Sequence, residues 1–133
     1  MAETKIVTAN ARGVRQAPRK VGLVASLVRG RTIADALTIL EHTPKRAALP
    51  VKKAIASAKA NAVNTHGLDE KTLVISTLSV TAGTRLKRYR AGARGMAKPY
   101  EKQTSHILVA VTGAVKPAKK SVAKKAEAKK ESK

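Results

Sequence analysis

Residues 83–104 constrain the fold most, because they interrupt the hydrophobic pattern of the chain with seven basic side chains and one acidic side chain. The flanking segments, 73–80 (LVISTLSV) and 106–111 (HILVAV), are rich in β-branched residues, which is typical of strands. The simplest connection is a β-hairpin whose legs continue past the domain. Neither face of the legs is apolar, so they cannot pack on a core. We call 83–104 the arm.

The arm is predicted to need a partner. A leg of about ten residues, at roughly 3.3 Å per residue, extends some 30 Å. Gly92 and Gly95 permit the turn at the tip. An isolated two-stranded ribbon is only marginally stable in water, and like charges oppose its ordering. A partner that carries phosphates would satisfy both requirements.

The distribution of charge supports this interpretation. The chain has 28 basic and 8 acidic residues, a formal net charge of +20. The arm carries +6 in 22 residues, which is about three times the charge density of residues 1–82 and 105–113. A basic excess of this size favours nucleic acid as the partner, with steeply salt-dependent affinity.

Two helices are predicted after a short strand at residues 4–9. Pro18 suits the first position of a helix that stops near Gly30. Thr32 and Asp35 form a capping-box pattern at the start of the next helix, so Asp35 is interpreted as a cap rather than a catalytic acid. The apolar positions at helical spacing are Val21, Val24, Leu27 and Val28 in the first helix, and Ile33, Ala36, Leu37 and Leu40 in the second.

A third helix is predicted to begin with Thr43 as the cap and Pro44 in the first position, and to end near Asn64. Pro50 would remove a hydrogen bond inside it, so the helix either bends there or begins nearby. The predicted core positions are Ala47, Val51, Ala54, Ile55, Ala58 and Ala62.

The composition narrows the class of protein. The chain lacks Phe, Trp and Cys, so small aliphatic residues must form the core, and disulfides and thiolate metal sites are excluded. No apolar run approaches a membrane span, and no secretory signal is recognisable, which predicts a soluble cytoplasmic protein. Residues 1–113 are predicted to form one domain. Residues 114–133, rich in Lys and Ala with a net charge of +6, are predicted to be a disordered tail.

No catalytic or metal-binding constellation is recognisable, so we predict no enzyme, cofactor or metal. His42, His66 and His106 lack metal-ligand spacing, and the acids form no convincing pair. Tyr89 and Tyr100 remain as the aromatic residues of the arm. They either stack on bases or pack against the aliphatic parts of neighbouring arm side chains.

Parts of the sequence also suggest two other functions. The Lys/Ala tail resembles linker-histone tails and suggests an architectural DNA-binding protein, which would not explain the arm. An enzyme acting on nucleic acid is supported by charge alone.

Several ordered stretches resemble the large-subunit ribosomal protein twenty-two family over about residues 5–112. The stretches are VRQAPRKVGLVASLVRG, the apolar helix after Thr32, TPKRAA, SAKANAVNTHGLD and LKRYRAGARGMAKPYEKQTSHI. The resemblance implies an α+β domain with three helices packed on a small antiparallel sheet and a long protruding β-hairpin. It also implies a non-enzymatic, cytoplasmic constituent of the large ribosomal subunit. Such a protein binds large-subunit ribosomal RNA, supports assembly and contacts neighbouring ribosomal proteins. Its hairpin reaches the wall of the peptide exit tunnel, with the nascent peptide at the tip.

The resemblance also assigns residues by position. The implied ribosomal RNA contacts are Arg15, Arg19, Lys20, Lys45, Arg46, Arg85, Lys87, Arg88, Arg90, Arg94, Lys98 and Lys102. The implied tunnel-facing tip consists of Ala91, Gly92, Ala93, Arg94, Gly95, Met96 and Ala97. Family members often have Pro-Arg-Ala-Arg-Gly-Arg at the tip. This chain has one basic residue there instead of three, so its tip is expected to be more flexible and less charged.

Overall fold

The computed structural model describes residues 4–115, which form three helices on one face of a three-stranded antiparallel sheet. The sheet order is β1-β3-β2, so the last strand lies in the centre. The elements are β1 (Thr4–Val14), α1 (Pro18–Val28), α2 (Ile33–His42), α3 (Ala48–Ala60), β2 (Val74–Ala91) and β3 (Ala97–Ala114). The predicted α+β fold is confirmed. The predicted tail lies outside the described residues, apart from its first two residues.

The first two helices begin where the sequence predicts. Pro18 is the first residue of α1, and the preceding Ala17 provides no side-chain cap. At α2, the Thr32 hydroxyl accepts a hydrogen bond from the Asp35 amide at 3.3 Å, which satisfies one of the free donors of the first turn. The three valines of the predicted apolar face of α1 are buried, whereas Leu27 is 48% exposed.

The predicted start of α3 is wrong. The Thr43 hydroxyl donates instead to the carbonyl of Ile39 at 2.6 Å, at the end of α2, and α3 begins only at Ala48. Pro50 therefore occupies the third helical position. The amides of the first turn have no acceptor within a helix, so the missing donor of Pro50 costs nothing there. The helix passes into a wider turn at Asn61–Thr65.

The core lies between the helices and the sheet and is built from small aliphatic side chains. Every predicted core position of the third helix is buried. Ile107, Val109 and Val111 alternate along the central strand and face the helices, as expected for a sheet covered on one side. No helix within residues 4–115 is long and apolar enough to cross a membrane.

The predicted hairpin is confirmed. Strands β2 and β3 continue past the core as a two-stranded ribbon, and their pairing extends from Arg85 opposite Gln103 to Ala91 opposite Ala97. At the tip, the Gly92 amide donates to the Met96 carbonyl at 2.7 Å. The tip also requires left-handed backbone at Arg94 (φ 58°) and Gly95 (φ 72°), which glycine adopts more readily than other residues.

Candidate nucleic-acid interface

The pairing register divides the arm into two faces of different chemistry. Residues directly opposite each other in an antiparallel pair project their side chains to the same face, and successive residues alternate. The pairing therefore gathers the even-numbered residues of both legs on one side and the odd-numbered residues on the other. We call them the basic face, which comprises Leu86, Arg88, Arg90, Lys98, Tyr100 and Lys102, and the mixed face, which comprises Arg85, Lys87, Tyr89, Ala91, Ala97, Pro99, Glu101 and Gln103.

The basic face carries four cations and no acid. Its tyrosine, Tyr100, lies under the guanidinium of Arg90, with 5.0 Å between Arg90 Cζ and the ring centroid. Tyr100 thus lies against the charged end of an arm side chain, and both alternatives for the tyrosines remain predictions. A cation over an aromatic ring contributes about 0.5–1 kcal/mol at exposed sites and restrains the guanidinium. This face therefore presents a row of positive charge with one arginine held in place.

The mixed face carries two cations and the single acid of the arm. Arg85 Nη1 lies 3.4 Å from Glu101 Oε2, so one of the two cations is already neutralised within the arm. Tyr89 pairs across the ribbon with Pro99 and is 70% exposed. The net charge of this face is +1, compared with +4 on the basic face.

A β-bulge at the base of the arm determines which side of the sheet each face continues. Between the pair of Ala82 with Ser105 and the pair of Arg85 with Gln103, β2 has one residue more than β3. The alternation along β3 is unbroken, so the mixed face continues the helix-covered side. The basic face continues the open side of the sheet, where His106 and Leu108 lie. A bulge of this kind re-aims a strand and its side chains.

The root of the arm is closely packed around Gly83. A Cβ on Gly83 would lie 2.6 Å from the Thr104 hydroxyl oxygen and 3.2 Å from His106 Nε2. The same histidine accepts a hydrogen bond from the Gly13 amide through Nδ1 at 3.0 Å. His106 therefore connects β1 to the arm root. Its neighbour Ser105 is buried on the opposite side of the strand, and its hydroxyl has no hydrogen-bond partner within the described residues.

The sequence-predicted cations form two clusters, with several others outside them. Arg15 lines a small hollow at the arm root together with Arg88 and Lys102 of the basic face. Lys20 of α1 lines a groove on the helical side together with Lys45 and Arg46 from the segment before α3. Arg19 is exposed on α1, and Arg94 is exposed at the tip. Arg90 and Lys98 lie opposite each other across the two strands, near the end of the ribbon on the basic face. Arg85 and Lys87 lie on the mixed face.

The acidic side chains of the domain are engaged internally. Glu41 pairs with Lys52 at 3.0 Å, and Glu70 pairs with Lys59 at 2.6 Å. A hydrogen bond and the positive charge of Lys52 hold the pKa of the Glu41 carboxyl below its ordinary value. Within the described part of the chain, eleven of the twelve predicted contact residues are in no ion pair, Arg85 being the exception. Their charge is thus available to an external polyanion.

Sequence reasoning missed three features of this surface. The division of the arm into faces depends on the bulge beside Gly83, and an isolated glycine in a strand pattern is the only signal for it. The hollow at the root depends on where the chain turns after β1. The groove of the helical side contains Leu23, which is 69% exposed, and Leu27, which helical spacing assigned to the core. No group of three or more metal-ligating side chains was found among residues 4–115.

Comparisons with known proteins agree with this architecture. The family model described as ribosomal protein L22p/L17e matches residues 9–112, which include all three helices and the whole arm. The chain is 45% identical, over 112 residues, to the large ribosomal subunit protein uL22 of Streptococcus pyogenes serotype M6. That alignment covers 84% of this chain and 98% of the streptococcal protein. On the strength of both matches, the chain belongs to the ribosomal protein L22p/L17e family.

Proposed function

We propose that this protein binds large-subunit ribosomal RNA and that it docks through the basic face and root of the arm, supports subunit assembly and extends its tip to the wall of the peptide exit tunnel. The main observation that supports the proposal is the basic face. It holds Arg88, Arg90, Lys98 and Lys102 in a row without an acid, on a ribbon that has no core of its own.

Membership of the family and the name of the streptococcal relative support a structural role in the large ribosomal subunit. The location that follows is cytoplasmic, with the ribosome. The proposed role is non-enzymatic and uses no cofactor. Large-subunit ribosomal RNA is the principal proposed partner, and neighbouring ribosomal proteins are further partners.

Electrostatics explain why RNA would order the arm. The arm side chains are exposed, so burial of apolar surface contributes little to its stability. Phosphates placed along the basic face would relieve the repulsion among its four cations and form charged hydrogen bonds, which are the stronger kind. Arg15 at the root would continue this contact toward the body. Lys52 and Lys59 are already paired with glutamates of the body, so we assign these two lysines little part in the RNA interface.

The tip is proposed to face the tunnel and the nascent peptide. Residues Ala91–Ala97 are small apart from Arg94 and Met96, and they close the ribbon in a five-residue loop. One positive charge at the tip contributes little to holding RNA compared with the legs. The legs would therefore anchor the arm, while the tip would modulate the passage of the nascent chain.

The test compares two triple variants that remove the same charge. Lys87→Gln, Arg88→Gln and Arg90→Gln remove three positive charges from the arm. Lys5→Gln, Lys53→Gln and Lys71→Gln neutralise exposed lysines of the body that the proposal leaves out. Affinity of the full chain for large-subunit ribosomal RNA is measured across a salt series. The arm variant is expected to flatten the salt dependence by about two units, at about 0.7–0.9 per phosphate contact, and the body variant to change it little.

Two results would contradict the proposal. One is equal loss of affinity in both triple variants, which would indicate non-specific attraction by net charge. The other is efficient competition by duplex DNA against structured ribosomal RNA, which would favour the architectural DNA-binding alternative. Incorporation of each variant into large subunits, measured by co-sedimentation, checks the role in assembly.

A further inference from the structure

An apolar groove with a cationic rim lies on the helical side of the domain, between α1 and the segment before α3. It has a volume of about 530 Å³, within the about 300–1,000 Å³ range of ligand sites. Its apolar lining includes Leu23 and Leu27 of α1, which are 69% and 48% exposed. The other apolar positions of this helix are buried. Exposure of these two leucines therefore indicates a surface that binds a partner.

The remaining groove residues determine the chemistry of that partner. Lys20, Lys45 and Arg46 line the groove as cations, and no acid is among the lining residues. Gln16 and Thr43 add side chains that form hydrogen bonds. The Thr43 hydroxyl donates its proton to the Ile39 carbonyl, so its oxygen remains able to accept. The groove thus combines apolar walls, a polar margin and a positive rim.

We infer that the groove binds an unpaired nucleotide of the ribosomal RNA, with the base against the two leucines and its phosphates on the cations. A nucleobase has apolar faces and a polar edge, and it carries a phosphate on either side, which matches the three parts of the groove. Proteins recognise RNA largely through such splayed-out bases, and apolar side chains hold flipped bases in other nucleic-acid proteins. Glutamine is a common reader of base edges.

Charge excludes two occupants that the chain itself could supply. Its C-terminal segment from residue 116 onward carries eight lysines and two glutamates, so the cationic rim would repel it. A second copy of the chain would bring the same three cations to the interface. An acidic amphipathic peptide would match the leucines and the cations but would not require Gln16 and Thr43. That peptide is therefore the alternative that the experiment must separate.

Photo-crosslinking from the groove tests the inference. A diazirine amino acid replaces Leu23 in the full chain, which is then incorporated into large subunits and irradiated. Crosslinked nucleotides are mapped by reverse-transcription stops, and crosslinked proteins by mass spectrometry. The expected product is RNA, at one unpaired nucleotide or at adjacent ones. A crosslink to an acidic protein segment, to paired RNA only, or to nothing would overturn the inference.

A pair of variants provides a second readout. Leu23→Ala with Leu27→Ala removes the leucine wall but no charge, so affinity for ribosomal RNA should fall at least about fivefold, the effect of losing the burial of about 40 Å² of apolar surface at roughly 25 cal/mol per Å². The salt dependence should stay as in the unmodified chain, because no phosphate contact is lost. The control is Leu49→Ala, since Leu49 is 62% exposed and lies outside the groove. Thermal melts verify that each variant is folded.

This inference rests on the proposed function, but the two fail differently. If the double leucine variant binds ribosomal RNA as tightly as the unmodified chain while the arm triple variant binds weakly, the inference about the groove is overturned and the proposed function stands. Retained affinity in the arm triple variant contradicts the proposed docking surface, whatever the leucine variant does.

Discussion

The body and the arm use charge in opposite ways. In the body, the acids Glu41 and Glu70 pair with lysines of α3, and Asp35 belongs to the cap of α2. In the arm, seven cations share one acid, which engages Arg85 only. The body also has an apolar core, whereas the arm side chains are exposed. The described acids of the body thus support the fold, whereas nearly all the charge of the arm is left for a partner.

This difference places +6 of the formal net charge of +20 on the arm, outside the small folded core. Excess charge placed on a projection is farther from the folded core, and screening reduces repulsion beyond about 8–10 Å at ordinary salt. The ribbon also separates its charge into a basic face and a nearly neutral mixed face. The comparison predicts that substitutions of charged arm residues beyond the root change RNA affinity and leave the stability of the body unchanged.

The largest effect is expected from breaking the basic face. Arg88→Gln with Lys102→Gln should lower RNA affinity at least about 100-fold, because hydrogen bonds to charged groups contribute about 1.5–3 kcal/mol each. Arg85→Gln with Lys87→Gln removes the same charge from the mixed face and should cost much less, since Arg85 is already paired. Filter binding at fixed salt compares them. Equal losses of RNA affinity in the two double variants would show that binding does not depend on which face of the arm carries the cations.

A smaller effect is expected at the arm root. Gly83→Ala places a Cβ 2.6 Å from the Thr104 hydroxyl, which itself donates to the Thr84 carbonyl at 2.8 Å. We expect a loss of about 1–3 kcal/mol in the free energy of unfolding, the usual cost of overpacking. Gly22→Ala is the matched control, because no atom lies within 4 Å of its Cβ and alanine favours the helix. Urea denaturation of both variants provides the measurement, and equal stability would refute tight packing at the root.

The tip should matter less for RNA binding than the legs do. Replacing residues 92–96 by Asn-Gly, a favoured two-residue hairpin turn, removes a single charge at Arg94. RNA affinity should change less than about fivefold, and its salt slope by about one unit. Stalling of nascent chains and sensitivity to tunnel-binding antibiotics should change in ribosomes that carry the variant. A block of subunit assembly would contradict the division between legs and tip.

The smallest effect is expected in the body. The pKa of Glu41 is lowered by Lys52 from an ordinary value of 4.5, so the pair stabilises the fold above that pH, and this contribution is lost as the pH falls through the folded pKa. Lys52→Gln should raise the pKa of Glu41 toward its ordinary value. It should leave RNA affinity nearly unchanged. An NMR titration of the glutamate carboxyl and the binding assay together check both; a marked loss of RNA affinity would place Lys52 in the interface.

Periodicity and special residues determined much of this fold from the sequence. The helices follow from the spacing of aliphatic residues, and the cap of α2 from Thr32 and Asp35. The arm follows from two apolar strands separated by a segment with no apolar face. The helices and the cap are local features, since each depends on residues a few positions apart, and the arm follows from the contrast between neighbouring segments. The family resemblance supplied the candidate contact residues, which chemistry alone identified only as available cations.

Tertiary structure decided what local pattern could not. Thr43 and Pro44 make as good a helix start as Pro18 does, yet α3 begins at Ala48 because Thr43 closes α2 instead. Leu27 has the right spacing for the core but faces the groove, because no element of residues 4–115 covers that side of α1. Along residues 85–90 of β2, the odd-numbered and the even-numbered positions each carry two cations. The two faces differ in charge only because pairing with β3 adds Lys98 and Lys102 to one face and Glu101 to the other. One extra residue beside Gly83 then sets that register, and with it the face on which the charge accumulates.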